Sequence, residues 1–193
     1  MLTLYFAPGA SSMAPHIALN EIGVRFDAKP VSLARKENRE PAFLAINPEG
    51  KVPTLVLDNG TVLTEVAGIL FYLGRRFPEA ELLPSDIEAQ AQIVSWMSFI
   101  ASSLHPARRQ GLEHAMSIYA IADQRLGGAD WAVGDYSIAD IHLFRLFWRF
   151  SASLKPKPGS FPHLEAHHAR MLARPAVEKT IAIESAVGYE LPT

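Results

Sequence analysis

The first third of the chain alternates short apolar runs with one amphipathic helical pattern. Residues 2–6 alternate weakly between apolar and polar side chains, which predicts a strand, and a second strand is predicted at residues 26–31. Between them, residues 13–22 carry apolar side chains at helical spacing, and Gly23 provides a helix end. A strand, a helix and a strand in such close succession predict a βαβ unit with a parallel strand pair. Residues 33–46 are mixed and polar, and predict a short irregular helix.

Residues 47–65 predict a polar loop, a strand, a tight turn, a second strand and a helix start. The apolar run at 55–57 is of β type, and Asn59-Gly60 is a strong signal for a two-residue hairpin turn. A helix is predicted from 65 to 77. This stretch therefore predicts a hairpin followed by a helix.

Pro53 gives the start of the first hairpin strand a special geometry. Because proline has no N–H, it belongs at the first residue of a strand or at a sheet edge. The Val52–Pro53 bond could be cis, since proline lowers the cis penalty to about 0.5–1 kcal/mol. The N–H and C=O of Val52 would then face outward, where an extended peptide could pair with them. Glu65 falls at a helix N-terminus, whose exposed N–H groups favour a carboxylate. The arrangement favours a small acidic peptide as ligand.

The remainder of the chain predicts helices. Residues 78–84 contain two prolines and no periodicity, which is typical of a linker. Residues 85–88 have the spacing of a capping box and begin a long helix. Its predicted core-facing residues are Ile93, Val94, Trp96, Met97, Ile100 and Leu104. Residues 137–140 repeat the capping device before a helix that is apolar around most of its surface, which predicts a position at a domain centre. Two further helices are predicted at 161–172 and 176–183.

Composition narrows the function classes. The chain has 193 residues, of which 49% are hydrophobic and 20% charged, as in ordinary globular proteins. Its net charge of −2 gives no electrostatic footprint for nucleic acid or an anionic membrane. No apolar run approaches the ~20 residues that span a bilayer. The N-terminus lacks the basic segment of a secretory signal, so a cytoplasmic location is expected.

The chain contains no cysteine. This excludes disulfides, thiolate metal sites and any mechanism that uses a protein cysteine. Any thiol chemistry must therefore come from a ligand.

Several spaced motifs resemble one family. The pattern Asn-Pro-x-Gly-x-Val-Pro at 47–53, the hairpin, and Leu-Thr-Glu at 63–65 resemble the thioredoxin-like half of a glutathione transferase. Residues 5–19 are similar to the opening of the bacterial beta class, and the resemblance covers nearly the whole chain. It implies a thioredoxin-like α/β domain at 1–77, a linker at 78–84, and an all-helical domain at 85–193. It also implies glutathione bound in the cleft between the domains, and a two-fold homodimer.

The resemblance implies two catalytic residues. Ser11 occupies the position at which the beta class typically has cysteine, where its hydroxyl would donate to the thiolate of glutathione. The alternative is a helix cap, which Ser11 or Ser12 could supply equally well. His105 lies in a segment similar to the beta-class helix whose histidine faces the glutathione sulfur. The alternative is a histidine that interacts with the dipole at a helix C-terminus.

A glutathione site is implied at Arg35, Lys51, Val52, Pro53, Glu65 and Val66. Val52 would pair with the cysteinyl backbone of glutathione, and Glu65 would bind the γ-glutamyl amine. Val66 departs from the serine of many family members, so the affinity for glutathione is expected to be reduced. Arg35 replaces a lysine and could contact the glycyl carboxylate, or could be a solvated surface arginine.

The second-substrate pocket is the least transferable part of the resemblance, because residues 106–126 form a shorter segment than is usual. Ala10, Arg108 and Arg109 are its candidates, and the two arginines could hold an anionic electrophile or lie exposed near a helix end. His163, His167 and His168 could suggest a metal, but no carboxylate motif completes a site. A solvated helix face, with no metal, is expected there.

Two functions follow from the resemblance. The first is an enzyme that conjugates the glutathione thiolate to a small hydrophobic electrophile. The alternative is a binding protein that keeps the fold but has little or no catalytic activity. A third, cysteine-dependent disulfide reduction, is close to excluded by composition.

Overall fold

The computed structural model describes residues 1–190 and divides into two compact units. The first unit contains residues 1–80 and the final helix, which begins at Pro175, and the second is Glu81–Arg174. The sequence instead predicted domains of 1–77 and 85–193. The final helix groups with the first unit because it packs along the first helix of the chain, where the amide of Asn20 donates to the Thr180 hydroxyl over 2.8 Å.

The bounds of the elements agree broadly with the predicted pattern. In chain order they are β1 (Leu2–Phe6), α1 (Met13–Ile22), β2 (Phe26–Pro30), α2 (Pro41–Leu44), β3 (Thr54–Val56), β4 (Val62–Thr64), α3 (Val66–Arg76), α4 (Ile87–Phe99), α5 (His105–Ala107), α6 (Leu112–Leu126), α7 (Ile138–Leu154), α8 (Pro162–Leu172) and α9 (Pro175–Val187). Short 3₁₀ turns lie at Glu37–Arg39, Pro78–Ala80 and Arg108–Gln110, and a π-helical turn at Ile100–Leu104.

The first unit is built on a four-stranded sheet with the order β2-β1-β3-β4. β1 and β2 are parallel, with Leu2 opposite Phe26, and α1 connects them. β3 pairs antiparallel with both β1 and β4. The predicted βαβ unit is therefore confirmed, and Gly23 ends α1 in the left-handed region at φ 74°. Leu4 and Leu55 are fully buried on neighbouring strands of this sheet.

The hairpin between β3 and β4 is confirmed, but its predicted two-residue turn is wrong. The Gly60 N–H donates to the Leu57 carbonyl over 3.0 Å, and the Leu57 N–H donates to the Thr61 carbonyl over 2.8 Å. The loop therefore has three residues, with Asp58 and Asn59 at the turn centre and Gly60 at φ 85°. A left-handed residue after such a turn matches the twist of the two strands, and glycine adopts that conformation without a steric penalty.

The predicted serine cap of α1 is not made by a side chain. Ser12 occupies the N-cap position, but its hydroxyl donates to the Ala7 carbonyl and accepts from the Ala7 N–H, each over 3.1 Å. The Ser11 hydroxyl donates elsewhere. The Ser12 hydroxyl is thus bonded to the preceding loop and the Ser11 hydroxyl to the Val52 carbonyl, so neither caps the helix N-terminus.

The second unit consists of helices, as predicted. Its first helix, α4, is capped by Asp86, whose carboxylate accepts from the Ala89 N–H over 2.8 Å. The predicted capping box at 85–88 is therefore wrong by one position, because Asp86 is the residue with extended backbone before the first helical turn. The predicted core residues of this helical segment are buried except Val94, which is 49% exposed.

The capping box at the start of α7 is confirmed. Asp140 accepts from the Ser137 N–H over 2.9 Å, and the Ser137 side chain caps the helix in return. Asp140 also accepts from the Ala132 N–H over 2.7 Å and from Nε2 of His167 over 3.0 Å. α7 is buried along most of its length and lies at the centre of the second unit, as predicted.

The expectation of a solvated face for the histidines of α8 is wrong for His167, which is 1% exposed. Its neighbour His168 stacks on Phe144, with the ring centroids 5.3 Å apart. These packing contacts with α7 explain the burial. Over residues 1–190, no helix is both long enough and apolar enough to cross a membrane.

Candidate active site

The Ser11 loop and the start of β3 meet in the first unit. The Ser11 hydroxyl donates to the Val52 carbonyl over 3.2 Å, although the two residues are 41 positions apart. The loop before Ser11 is fixed by the two hydrogen bonds between Ser12 and Ala7. Ser11 itself is only partly buried, so a ligand has access to its hydroxyl.

Val52 precedes a cis peptide bond to Pro53. Its carbonyl already accepts from the Ser11 hydroxyl. Of the two backbone groups that were predicted to face outward, only the N–H is therefore open to a ligand. Its N–H has no hydrogen-bond partner within residues 1–190. A peptide ligand could therefore accept from this N–H without displacing a protein group.

The loop before Val52 is held by side chains. The amide of Asn47 donates to the Lys51 carbonyl and to the Thr54 hydroxyl, each over 3.0 Å. Gly50 lies at φ 61°, and a Cβ there would come within 2.7 Å of the Arg39 guanidinium. Arg39 in turn donates to the Glu49 carbonyl over 3.2 Å. Glycine is therefore required at this position, and Arg39 is a cation at the loop that sequence reasoning missed.

Glu65 precedes the first residue of α3 in a strained conformation. Its φ of 62° and ψ of 129° lie outside the left-handed helical region that non-glycine residues sometimes occupy. Such a conformation costs of order 1–3 kcal/mol, and it persists at functional sites more often than elsewhere. The side chain of Glu65 is exposed, and the first N–H groups of α3 have no carbonyl within the helix to bond. Together they present a carboxylate acceptor beside backbone donors.

Val66 begins α3 and is only 7% exposed. Its side chain offers no hydrogen-bond donor or acceptor, so an anion at this helix start could bond only to backbone N–H groups. The Val66 side chain therefore cannot replace the hydroxyl contact that a serine at this position would make.

Arg35 and Lys51, the two cations predicted for the glutathione site, already pair with acidic side chains. Arg35 is 71% exposed and lies 2.9 Å from the Glu37 carboxylate, which raises the pKa of Arg35. Lys51 is 64% exposed and lies 2.9 Å from the Glu49 carboxylate, which raises the pKa of Lys51, and the more distant Glu65 charge acts in the same direction. Exposed ion pairs of this kind are weak, so a ligand carboxylate could displace either acid.

A buried polar network supports the Ser11 loop and was missed by sequence reasoning. The Gly9 N–H donates to the Glu184 carboxylate over 2.6 Å, and Nδ1 of His16 lies 2.9 Å from the other carboxylate oxygen. Both side chains have no exposed surface. The two ionisable residues lie 168 positions apart, so no local pattern could pair them. The available signal was His16 within an otherwise apolar stretch of α1.

His105 lies in the second unit, directly after the π-helical turn Ile100–Leu104. The interpretation of His105 as the end of a helix is wrong, because the chain continues through α5 and a 3₁₀ turn. Although the residue reaches solvent, partial burial of its ring lowers its pKa to about 4, and the charges of Arg145, Arg109 and Arg108 add to this. The imidazole is therefore neutral at pH 7.

The predicted pocket residues belong to different units. Ala10 lies in the Ser11 loop, where its N–H donates to the Ala7 carbonyl over 2.9 Å. Arg108 and Arg109 form the 3₁₀ turn after α5, and the charges of both act on His105. Arg108 is half-buried, and its Nε has no hydrogen-bond partner within residues 1–190. No group of three or more potential metal ligands occurs in the described part of the chain.

Comparisons with known proteins identify the two halves of the chain. The family model described as the N-terminal domain of glutathione S-transferase matches residues 11–76, and that of the C-terminal domain matches residues 69–175. Glutathione S-transferase GstA of Escherichia coli O157:H7 is 32% identical, over 95% of this chain and 98% of its own.

Solved structures give the same assignment. A sphingomonad glutathione S-transferase complexed with glutathione has a TM-score of 0.86 at 33% identity, covering 95% of this chain and 98% of its own. A beta-class enzyme of Sphingomonas chungbukensis has a TM-score of 0.82 at 35% identity, covering 94% of this chain and 98% of its own. The predicted fold class is thus confirmed as a thioredoxin-like domain with a helical C-terminal domain, as is the likeness to the bacterial beta class.

Proposed function

Because the chain belongs to the glutathione S-transferase family, we propose that it binds glutathione and conjugates its thiolate to a small hydrophobic electrophile. The observation that carries this proposal is the Ser11 hydroxyl, which lies 3.2 Å from the Val52 carbonyl. This contact places a hydroxyl donor beside the strand start at which a peptide ligand would pair. A thiol bound there would lie against a group able to stabilise its ionised form.

Ser11 acts in this proposal as a hydrogen-bond donor. A free thiol has a pKa of about 8.5, so efficient attack at neutral pH needs stabilisation of the thiolate. A serine hydroxyl is far too weak an acid to serve as a base. It can, however, exchange its bond to the neutral Val52 carbonyl for a charge-assisted bond to sulfur, which is about twice as strong. His105, which is neutral, is proposed as a second hydrogen-bonding group for the thiol.

The glutathione site is assigned to the motif residues. The Val52 N–H pairs with the cysteinyl backbone, and the exposed Glu65 carboxylate accepts from the γ-glutamyl amine. The N–H of Val66 binds the γ-glutamyl carboxylate at the start of α3. Arg35 and Lys51 are the cations proposed for the glycyl carboxylate, while Pro53 fixes the strand start.

The test has two steps. Millimolar glutathione should raise the melting temperature, because a ligand bound only by the folded state adds RT ln(1 + [L]/Kd) to stability. Turnover is then measured with 1-chloro-2,4-dinitrobenzene. Ser11→Ala should lower kcat, whereas Ser85→Ala, which removes an exposed serine of the second unit, should not. If glutathione gives no thermal shift, the proposal is wrong.

A binding protein with little catalysis is the second candidate. Two observations favour it: the Ser11 hydroxyl proton is already engaged by Val52, and the Val66 side chain offers no hydroxyl. The thiol of the bound ligand would then keep its ordinary pKa. A thermal shift with glutathione but no turnover of several electrophile classes would select this candidate over the enzyme.

A homodimer and a cytoplasmic location complete the proposal. Apolar side chains that remain exposed on helices of each unit support self-association, such as Phe71 at 43% and Val94 at 49% exposure. Light scattering coupled to size exclusion should give twice the chain mass of 21.2 kDa. A monomer at micromolar concentration would contradict the dimer.

A further inference from the structure

The segment after α9, residues 188–190, folds back onto the loop that follows β2. Gly188 leaves the helix at φ 102°, and its N–H donates to the Glu184 carbonyl over 3.1 Å. Glycine adopts a φ of this size without a steric penalty. The Tyr189 hydroxyl then donates to the Ile181 carbonyl over 3.3 Å, which holds the segment beside α9. The side chain of the next residue, Glu190, reaches the loop after β2.

The Glu190 carboxylate is bound by that loop. The Ser32 hydroxyl lies 2.8 Å from each of its two oxygens, and the Ala34 N–H donates to one of them over 3.3 Å. Ser32 is 6% exposed, so its hydroxyl is fixed in a largely buried position. Glu190 and Ser32 are 158 positions apart, and both belong to the first unit. The folded chain therefore brings a carboxylate of its own to this loop.

The loop at residues 32–35 is rich in hydrogen-bond donors. Besides the Ala34 N–H, the Ser32 N–H donates to the Glu37 carboxylate over 2.7 Å, and the Arg35 N–H donates to the Ser32 hydroxyl oxygen over 3.0 Å. A hydroxyl that accepts one hydrogen bond while it donates another is polarised and donates more strongly. Successive N–H groups in a turn form a concavity that attracts anions. The 32–35 loop is therefore a carboxylate-binding loop, and residues of the same unit occupy it.

Arg35 lies within the field of both bound carboxylates. The hydrogen bond and charge of Glu37 are the main causes that raise the pKa of Arg35, and the charge of Glu190 adds to them. In the other direction, the Ser32 hydroxyl and the Ala34 N–H chiefly lower the pKa of Glu190, and the charge of Arg35 contributes. Glu190 is therefore ionised at pH 7, and one guanidinium serves two carboxylates.

The two acids are not held equally. Glu37 belongs to the same stretch of chain as Arg35 and bonds both to its side chain, with Nε 3.0 Å away, and to the Ser32 N–H. Glu190 is exposed and reaches the loop from a short segment beyond α9. Its release frees that segment and restores some of its conformational entropy. A carboxylate from a ligand that approaches Arg35 therefore either displaces Glu190 or is repelled by it.

We propose that Glu190 is an internal competitor of the glycyl carboxylate of glutathione at the 32–35 loop. This inference rests on the proposed function, in which Arg35 is a cation for that carboxylate. Glu190 then weakens the binding of glutathione, and it narrows the preference of the protein for ligands with a free glycyl carboxylate over ligands with a neutral end. Displacement and repulsion have the same sign, so both predict tighter glutathione binding once the Glu190 charge is removed.

The contact of Glu190 with the loop is tested without any ligand. In ¹⁵N–¹H spectra, the Ala34 N–H resonance should move with pH as the Glu190 carboxylate titrates, at a pH below the ordinary pKa of a glutamate. Glu190→Gln should remove this movement. Glu178→Gln is the control, because it removes the same charge from an exposed position in the first turn of α9 and should leave the movement intact. An Ala34 resonance with the same pH profile in wild type and Glu190→Gln would overturn the proposal.

The competition is tested by calorimetry on the whole protein with two ligands, glutathione and its glycyl amide. Glu190→Gln should lower the Kd of glutathione about two- to fivefold, as expected for charges at an exposed site, and leave the Kd of the amide unchanged. The gain should shrink with added salt. Glu178→Gln should change neither Kd, and melting temperatures verify that both variants fold. An equal gain for both ligands, or no gain for glutathione, would overturn the competition.

A double-mutant cycle identifies the cation that the two carboxylates share. Arg35→Gln should weaken the binding of glutathione more than that of the amide, and in this background Glu190→Gln should bring little further gain. An undiminished gain in the Arg35→Gln background would overturn the assignment to Arg35. If glutathione gives no thermal shift with wild type or with Glu190→Gln, the proposed function and the competition are both wrong. If glutathione binds but Glu190→Gln has no effect, only the competition is wrong.

Discussion

Restoring a hydroxyl at Val66 is the perturbation for which the structure gives the most definite expectation. Val66 begins α3 and is 7% exposed, so nearly all of its side chain is removed from water. Burial of a whole valine side chain contributes about 1.5–3 kcal/mol. Val66→Ser replaces two methyl groups by one hydroxyl, so we expect the unliganded protein to lose about 1–2 kcal/mol of stability.

The effect on glutathione binding should have the opposite sign. A hydroxyl at the start of α3 would reach the γ-glutamyl carboxylate that the backbone N–H of Val66 is proposed to bind. Such a charge-assisted contact is worth about 1–2 kcal/mol, which corresponds to a Kd about 5- to 30-fold lower. The variant should therefore be less stable alone and more strongly stabilised by glutathione.

Two further variants separate packing from hydrogen bonding. Val66→Thr keeps one methyl group and nearly the same volume while adding a hydroxyl. Val66→Ala loses about as much packing as Val66→Ser but adds no hydroxyl. Calorimetry with glutathione and urea unfolding are measured on all three. The threonine and serine variants should bind more tightly than wild type, and the alanine variant should not. If threonine and alanine give the same Kd, the proposed geometry of the ligand at α3 is wrong.

Three other perturbations test separate parts of the structure. Ser11→Cys should form a mixed disulfide with oxidised glutathione, seen as one added glutathionyl group by intact mass, whereas wild type has no cysteine to modify. An unmodified cysteine in a glutathione-binding variant would place Ser11 away from the sulfur. Glu65→Gly should stabilise the free protein by about 1 kcal/mol in urea unfolding, because glycine tolerates φ 62°. The same variant should weaken glutathione binding. A loss of stability would contradict the strain assigned to Glu65. Burial lowers the pKa of His142 to about 3 in the folded protein. As the pH drops from about 6.5 towards 3, the His142 ring is therefore protonated in the unfolded chain but not in the folded one, and stability falls. His142→Gln should flatten unfolding midpoints in that pH range, and an unchanged profile would refute the role of this histidine.

Local chemistry was sufficient to predict the elements. Alternation and helical spacing depend on a few neighbouring residues, so β1, α1 and the βαβ unit were predictable, and so was the end of α1 at Gly23. The capping box at α7 was predictable for the same reason, since Ser137 and Asp140 are three positions apart. The motif at 47–53 likewise predicted a loop suited to a peptide ligand, although the Ser11 hydroxyl that bonds the Val52 carbonyl comes from a distant part of the sequence.

The partners of polar groups were decided by the tertiary structure. The sequence offered Ser11, Ser12 and Ser85 as possible caps, and only the folded chain shows that Asp86 caps α4 and that the hydroxyls of Ser11 and Ser12 bond elsewhere. The pairing of His16 with Glu184 joins α1 to α9 and was invisible to any window along the chain.

The same holds for the charges of the second unit. Arg108 and Arg145 are separated by 37 positions, and their proximity depends on how α7 packs against the segment that ends at α5. Periodicity is set by the backbone geometry of one element, whereas electrostatic fields and hydrogen-bond networks arise where elements meet. The sequence by itself therefore determined which helices and strands form and which residues are candidates for chemistry. Only the packing of those elements decided which candidates touch and which stay neutral.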